Sequence, residues 1–358
     1  MKGKQNIGRR LLRNPGALFG LIVIGAALVT GITGYLIAPD ASPDANRIIV
    51  EIGGRKPGFR QQFVLVKKPG AVVQAGFFHR LLFGREDEYD YVPIDGYTMR
   101  DSLIVQKFVD EGVFERRAYP YSLVADEAGA PRVIMRRFWL GTDKYGRDIL
   151  SRLLIGVRVS LAVGMVTVLL SISVGVLLGA VAGYFRGRVD EIILWLVNVI
   201  WSIPTLLLVF AIMLVLGKGF WQVFVAIGLT LWVNVARIVR GQVLAVRERE
   251  YVEAARALGY SHGRILFRHI LPNIMGPVWV VAAANFASAI VIEAGLSFLG
   301  VGVQPPQPSW GLMIKENYNF IITHNPMLAL APGIAIMLLV LAFNLLGNGL
   351  RDVLDIRV

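Results

Sequence analysis

The polar residues of this chain are gathered into a few stretches, and between them apolar residues run on for long, almost uncharged distances. The first such block, 17–38, holds no charge and is about 22 residues long, enough to cross the hydrocarbon core of a bilayer as a helix. Further apolar blocks follow at 159–184, 192–216, 220–235, 274–299 and 327–346. The pattern predicts an all-α polytopic membrane protein with six transmembrane helices. A signal peptide competes for the first block, because Lys2, Lys4, Arg9, Arg10 and Arg13 resemble a charged leader. A leader's apolar core is only about 7–15 residues, so a retained helix is the reading adopted. Residues 39–139 differ: they are rich in charge, Gly and Pro, and such a stretch cannot cross lipid. Short runs, Ile48-Ile49-Val50, Phe63-Val64-Leu65-Val66 and Ala71-Val72-Val73, are broken at Gly53-Gly54 and Pro69-Gly70. They predict a small α+β extracytoplasmic insert between the first and second helices, with Phe77, Phe78, Tyr89, Tyr91, Phe108 and Tyr119 to build a core. Disorder is the alternative. The expected organisation is a cytoplasmic tail over 1–16, a first helix over 17–38, the insert over 39–139, and a core over 140–358 with five helices.

Composition supports a membrane protein: 55% of residues are hydrophobic and 17% charged, against about 45–50% and about 25% in soluble domains. The net charge of +12 raises the question of nucleic acid. No basic segment carries an interleaved aromatic platform, and surplus Lys and Arg mark cytoplasmic loops of membrane proteins, so nucleic acid is set aside. Short-loop charges orient the chain. Basic residues fall in the N-terminal tail, at Arg186 and Arg188, at Arg237, Arg240, Arg247, Arg249, Arg256, Arg264 and Arg268, and at Arg351 and Arg357. The other short loops hold only Lys218 and Lys315. Both termini are therefore expected in the cytoplasm, and the insert outside, since long loops translocate largely regardless of charge. There is no Cys, which excludes disulfides, thiolate catalysis and Cys-based metal sites. His79, His262, His269 and His324 are scattered without metal-ligand spacing.

Within the spans, Gly175, Gly179 and Gly183 make a small-residue stripe suited to close helix packing. Pro204 interrupts the third block, so a kink is expected, lining a pathway or only adapting the packing. Asn198, Asn234, Asn285, Glu293 and Asn344 are polar positions inside spans. Glu293 is read either as a pathway or gate residue or as a structural hydrogen-bonding group. Trp310, in the Pro-rich stretch 304–311, would shape a pathway mouth or serve as an interface anchor.

The most informative stretch is 247–273, REREYVEAARALGYSHGRILFRHILPN, which is too polar to span. Helix formers run from Glu248 to Leu258, and Gly259 follows where φ > 0 is needed. Ser261 can cap a second short helix, which Pro272 is expected to stop before the fifth span. Ala254, Ala255 and Ala257 give the first helix low relief, suited to a groove on another protein. The plainer reading is an amphipathic helix on lipid headgroups. No phosphate loop occurs anywhere: Gly217-Lys218 lacks the upstream Gly and the following hydroxyl. No cofactor is expected on this chain.

Glu253-Ala254-Ala255 with Gly259 and Leu271-Pro272 resembles the EAA loop of permeases of ATP-binding-cassette (ABC) importers. Leu140-Gly141-Thr142-Asp143, Gly146-Arg147-Asp148 and Ser151-Arg152-Leu153 are similar to the segment before the second span in dipeptide and oligopeptide permeases of the DppC/OppC type. So are 296–300 through Gln304-Pro305-Pro306 and Pro308-Ser309-Trp310-Gly311, and 341–347 with Gly349-Leu350-Arg351-Asp352. The resemblance covers 140–357; the long insert departs from it, and His269, where the broad EAA pattern is apolar, is taken as a character of the dipeptide group. It implies a non-catalytic transport subunit in a bacterial or archaeal cytoplasmic membrane. A second permease chain would complete the pathway, one or two ABC ATPase subunits would carry ATP–Mg, and an extracytoplasmic solute-binding protein would deliver cargo. Glu253, Ala254, Ala255, Ala257, Gly259, Leu271 and Pro272 would contact the ATPase; Pro204, Glu293 and Trp310 are the pathway candidates. The cargo would be a peptide, nickel or another small solute. A secondary transporter would require inverted repeats and interrupted half-helices, and a receptor would require a cytoplasmic output domain; the sequence offers neither. No plausible nucleophile–base–orienter set supports an enzyme.

Overall fold

The long apolar runs become long helices. A computed structural model describes residues 7–70, 76–125, 129–323 and 325–354. In chain order the elements are α1 (Ile7–Arg13), α2 (Pro15–Ile37), β1 (Phe59–Lys67), α3 (Phe77–Phe83), β2 (Tyr89–Met99), β3 (Leu103–Asp110), β4 (Val113–Tyr119), α4 (Tyr121–Val124), β5 (Val133–Phe138) and α5 (Ile149–Phe185). Then come α6 (Gly187–Trp201), α7 (Thr205–Leu216), α8 (Phe220–Arg247), α9 (Glu250–Ala257), α10 (His262–Arg264), α11 (Leu271–Leu299), α12 (Trp310–Asn317), α13 (Phe320–Thr323) and α14 (Met327–Leu354). Among the described residues, five helices are long and apolar enough to cross a membrane: α2, α5, α8, the continuous stretch His262–Leu299, and α14. The pair α6 and α7 qualifies together but is bent by 94°. The protein is thus mostly helical, with a small sheet. The run Ala71-Val72-Val73 and His324 lie outside the described residues.

The chain divides into two compact units. One comprises Val29–Val159 and Pro305–Ile334, so it reaches beyond the expected 39–139 stretch. Its sheet is antiparallel, in the order β4-β3-β2-β1-β5. Neighbouring residues of a strand face opposite sides, and β1 shows it: Phe63 packs with Ile49, Ile52, Phe108 and Phe138, while Val64 packs with Ile94, Leu103, Val105 and Val124. Tyr91 and Tyr119 pack against these clusters, as the sequence suggested. Phe77 and Phe78 do not: both sit on α3 and are exposed. Of the strand-like runs, Phe63-Val64-Leu65-Val66 lies within β1, whereas Ile48-Ile49-Val50 leads into a 3₁₀ turn, Val50–Ile52.

In the same unit the 140–152 motifs turn out to be structural hubs. Asp148 caps α5, its Oδ2 accepting from the Ser151 N–H at 2.9 Å, and Ser151 Oγ accepts from the Asp40 N–H at 2.8 Å. Arg147 is buried and donates to Asp143, Glu316 and Asn46. Arg152 is buried 3.6 Å from Glu316. Burial of a charge is tolerable where it is paired and hydrogen-bonded, as Arg147 is; the Arg152 guanidinium has the Glu316 charge nearby but makes no hydrogen bond among the described residues.

The second unit comprises Met1–Leu28, Ser160–Gln304 and Ala335–Val358. Asn14 starts α2, accepting from Gly16 and Ala17 N–H groups at 3.0 and 3.2 Å, with Pro15 at the first helical position. The glycine stripe is a seam between α5 and α8. A Cβ on Gly175 would lie 2.5 Å from the Val235 Cβ, one on Gly179 2.4 Å from the Ala236 carbonyl oxygen, and one on Gly183 2.8 Å from the Arg240 carbonyl oxygen. Only glycine lets the two backbones approach this closely.

Three expectations are corrected here. The fourth span does not end near 235, and Arg237 and Arg240 are not loop residues: α8 continues to Arg247. Its arginines are accommodated by long-range partners: Arg240 Nη2 donates to Asp190 Oδ2 at 2.6 Å, and Arg237 lies 3.5 Å over the Trp201 ring. Pro204 gives a full break rather than a kink, because it has no N–H and biases Ile203 away from helical geometry. Pro272 does not stop the helix. The six residues before α11, Ile265–Ile270, form a π-helical turn, and the Leu271 N–H bonds the Leu266 carbonyl five residues back. The widened turn relieves the clash that a proline ring makes with the carbonyl four residues earlier.

Candidate functional site

The stretch 247–273 lies within the second unit, and its geometry follows from which side chains face inward. On α9, Val252 and Ala255 are buried. They join a cluster with Ala180 and Tyr184 of α5, Val235, Val239 and Val243 of α8, and Ile265, Leu266, Ile270, Ile274 and Val278 of the following helix. Glu253, Ala254, Arg256 and Ala257 are exposed, and Leu258 is 72% exposed. Of the sequence-selected triplet, then, Glu253 and Ala254 face outward, and Ala255 seats the helix on its support. The three-residue spacing of Val252 and Ala255 is the narrow apolar stripe of a helix lying on a surface.

The helix end is built by backbone geometry. Gly259 has φ +74°. Its N–H bonds the Arg256 carbonyl at 3.0 Å, and the Tyr260 N–H bonds the Ala255 carbonyl at 3.2 Å. This is a Schellman termination, in which the 6→1 and 5→2 bonds satisfy carbonyls that the helix leaves orphaned. Ser261 Oγ then accepts from the Arg264 N–H at 3.4 Å, capping α10 as expected. Glu250 and Glu253 stand in the first turn of α9 and Arg256 in its last, each at the favourable end of the helix dipole.

Side chains that the sequence reading did not select fasten this arrangement. Tyr184 Oη is 2.9 Å from His262 Nδ1, and the ring of Phe185 lies against His262 at 5.9 Å. Arg247 donates to the Tyr184 carbonyl. Tyr260 stacks on His269 at 5.6 Å between centroids, with Arg264 4.1 Å over the Tyr260 ring. Asn273 Nδ2 donates to Tyr251 Oη at 3.2 Å and to the His269 carbonyl at 2.6 Å. These contacts join residues up to 78 apart in sequence, so no local pattern announces them. Leu271 is half-buried against the cluster and Pro272 is exposed. Phe267 is exposed on the π-helical turn.

The pathway candidates are placed elsewhere. Pro204 is the break between α6 and α7. Glu293 is buried in α11 and accepts from Ser297 Oγ at 2.6 Å; Ser297 Oγ in turn accepts from the Val303 N–H at 3.0 Å. Trp310 is buried at the start of α12 and donates from Nε1 to the Leu153 carbonyl at 3.0 Å. Among the described residues no group of three or more His, Cys, Asp or Glu is placed to hold a metal ion.

Comparison with known proteins bears on this arrangement. The family described as "Binding-protein-dependent transport system inner membrane component" matches residues 175–358, which include the whole 247–273 stretch. The chain is similar to the oligopeptide transport system permease protein OppC of Bacillus subtilis, 39% identical over 253 residues that cover 71% of this chain and 82% of that protein. It is similar to the glutathione transport system permease protein GsiD of Pectobacterium atrosepticum, 44% identical over 61% of this chain and 72% of that protein. The dipeptide transport system permease protein DppC of Alkalihalophilus pseudofirmus is 42% identical over 61% of this chain and 71% of that protein.

Proposed function

The chain belongs to the binding-protein-dependent transport system inner membrane components, and on that premise we propose how it couples to an energy source. It is a multi-pass permease subunit of an ABC importer, of the DppC/OppC-like kind. Such permeases work with another permease, an ATPase and a solute-binding protein. In our reading, α9, the Gly259 turn and α10 form the contact for the ATPase, which carries ATP–Mg, while this chain binds no nucleotide.

The observation that carries the reading is the division of α9 into two faces. Val252 and Ala255 fix the helix to a cluster drawn from α5, α8 and α11, while Glu253, Ala254 and Ala257 leave a low outer surface. Exposed Leu258 and Phe267 offer apolar contacts beside it. A rigidly mounted helix of low relief can enter a groove and pass on a displacement. The ATPases' closure then drives a rigid-body, two-state change of the spans. In our reading, which rests on the arginine distribution, this loop and both termini are cytoplasmic and the sheet is outside, and α6 and α7 together count as one of six spans. The names of the relatives point to peptides as cargo, and this chain would enclose half of the pathway with a second permease.

The test is Ala254→Arg in the assembled importer. Ala254 is exposed, so the variant is expected to insert and fold as the wild type does. A bulky charge on the docking face is expected to weaken ATPase capture by at least about tenfold, or about 1.4 kcal/mol, and to lower transport-linked ATP turnover in parallel. Unchanged capture and turnover would refute the docking assignment.

A further inference from the structure

We infer that α3 is a membrane-surface helix, which ties the five-stranded sheet to the lipid of the same bilayer that α2 crosses. The segment reads Phe77-Phe78-His79-Arg80-Leu81-Leu82-Phe83. Phe77, Phe78, Leu82 and Phe83 are all exposed, Phe78 at 76%, and neither face of the sheet includes any of them in its core. At about 100° per residue, Phe77, Leu81, Phe78 and Leu82 fall on one arc of about 140°, with His79, Phe83 and Arg80 on the other side. Water-facing domains rarely present such a cluster without something to cover it.

Arg158 of α5 says what covers it. Its guanidinium donates to the Leu81 and Leu82 carbonyls, each at 2.6 Å, and so satisfies two orphaned carbonyls at the C-terminal end of α3. The same guanidinium donates to the Gly31 and Ile32 carbonyls of α2 at 2.6 and 3.0 Å. Gly31 and Ile32 lie five to six residues before the last residue of α2, about 8–9 Å inside its end. A helix pinned at that level sits at the depth of interfacial helices, about 5–10 Å into the headgroup–acyl boundary. Val29, Ile32, Leu36 and Ile37 of α2 are exposed there as well, so the apolar face of α3 continues a surface that already meets lipid. An isolated seven-residue helix is not stable in water; Arg158 and the bilayer hold this one between them.

The chain has no native Cys, which allows a direct test. Single-Cys variants Phe78→Cys and Leu82→Cys are spin-labelled in the assembled importer in lipid nanodiscs, with Ile22→Cys on α2 and Phe114→Cys on β4 as references. Collisions with oxygen, which concentrates in lipid, are compared with collisions with a water-soluble nickel chelate. The oxygen-to-chelate ratio at positions 78 and 82 is expected to approach that at 22 and to exceed that at 114 several-fold. A ratio at 78 and 82 equal to that at 114, with 22 still lipid-like, overturns the proposal alone. Protection from both reagents also overturns it, since the face is then covered by protein. A water-like ratio at 22 removes the membrane premise itself.

Discussion

At Gly259, φ is +74° and a Cβ would meet nothing within 4 Å. The cost of replacing it is therefore backbone strain, without a steric clash to relax. Strain in the left-handed region is smallest for Asn, about 1–2 kcal/mol for Ala, and greatest for a β-branched residue. Gly259→Asn, Gly259→Ala and Gly259→Val should lose thermal stability of the loop in that order and lose ATPase co-purification in the same order, while membrane insertion stays intact. Equal co-purification across the series would separate the turn from docking. This glycine was legible from sequence, because it ends a run of helix formers and precedes a capping serine. The inward role of Ala255 was not. Three alanines on one short helix look alike until Val252 shows which side meets the cluster, and that depends on α5, α8 and α11.

Elements show the same division between what a pattern reveals and what it hides. The stripe on α5 was visible as three glycines at four-residue spacing; the α8 residues that it meets were not, since a stripe describes its own face and not its neighbour. The seam predicts a contrast. Gly179→Val forces a side chain to within 2.4 Å of the Ala236 carbonyl oxygen, whereas Gly25→Val on α2 meets nothing within 4 Å. Overpacking costs about 1–3 kcal/mol where neighbours can shift, and a helix backbone shifts little. The Gly179 variant should lose most of its monodisperse peak in size-exclusion chromatography, and the Gly25 variant should keep it. The misread elements share one cause. Pro272 and the arginines of α8 look like helix enders by local rules, and both are overruled by geometry that local rules do not contain: a π-helical turn in one case, and Asp190 and Trp201 in the other.

For the whole molecule, the apolar blocks made the helical class legible, because a bilayer forces long uncharged runs, and the motifs within 140–357 made the family legible. The sheet was legible only in outline, since short strands declare their composition and not their pairing order. Topology is open to a simple measurement in a Cys-free chain. Asp110→Cys on the sheet should react with an impermeant thiol reagent added to intact cells. Gly263→Cys, where a side chain meets open space, should react only after lysis; labelling there in intact cells would reverse the orientation. The purified chain is also expected to show no saturable nucleotide binding by equilibrium dialysis, and binding without the ATPase would contradict the proposed division of labour.

The stretch from His262 to Leu299 is one helix of 38 residues, about 57 Å from end to end at about 1.5 Å per residue. Its first turn hangs on Tyr184, and its last runs into the bend closed by Ser297 and Val303. The π-helical turn and Pro277 fall in its first part, so the stretch that behaves as a beam is 278–299, about 33 Å long. Tilting that part by about 5° about its middle swings its ends through about 1.4 Å in opposite directions, comparable to the helix shifts that switch protein states. Leverage of this kind asks for stiffness between the ends more than for any chain of individually communicating side chains.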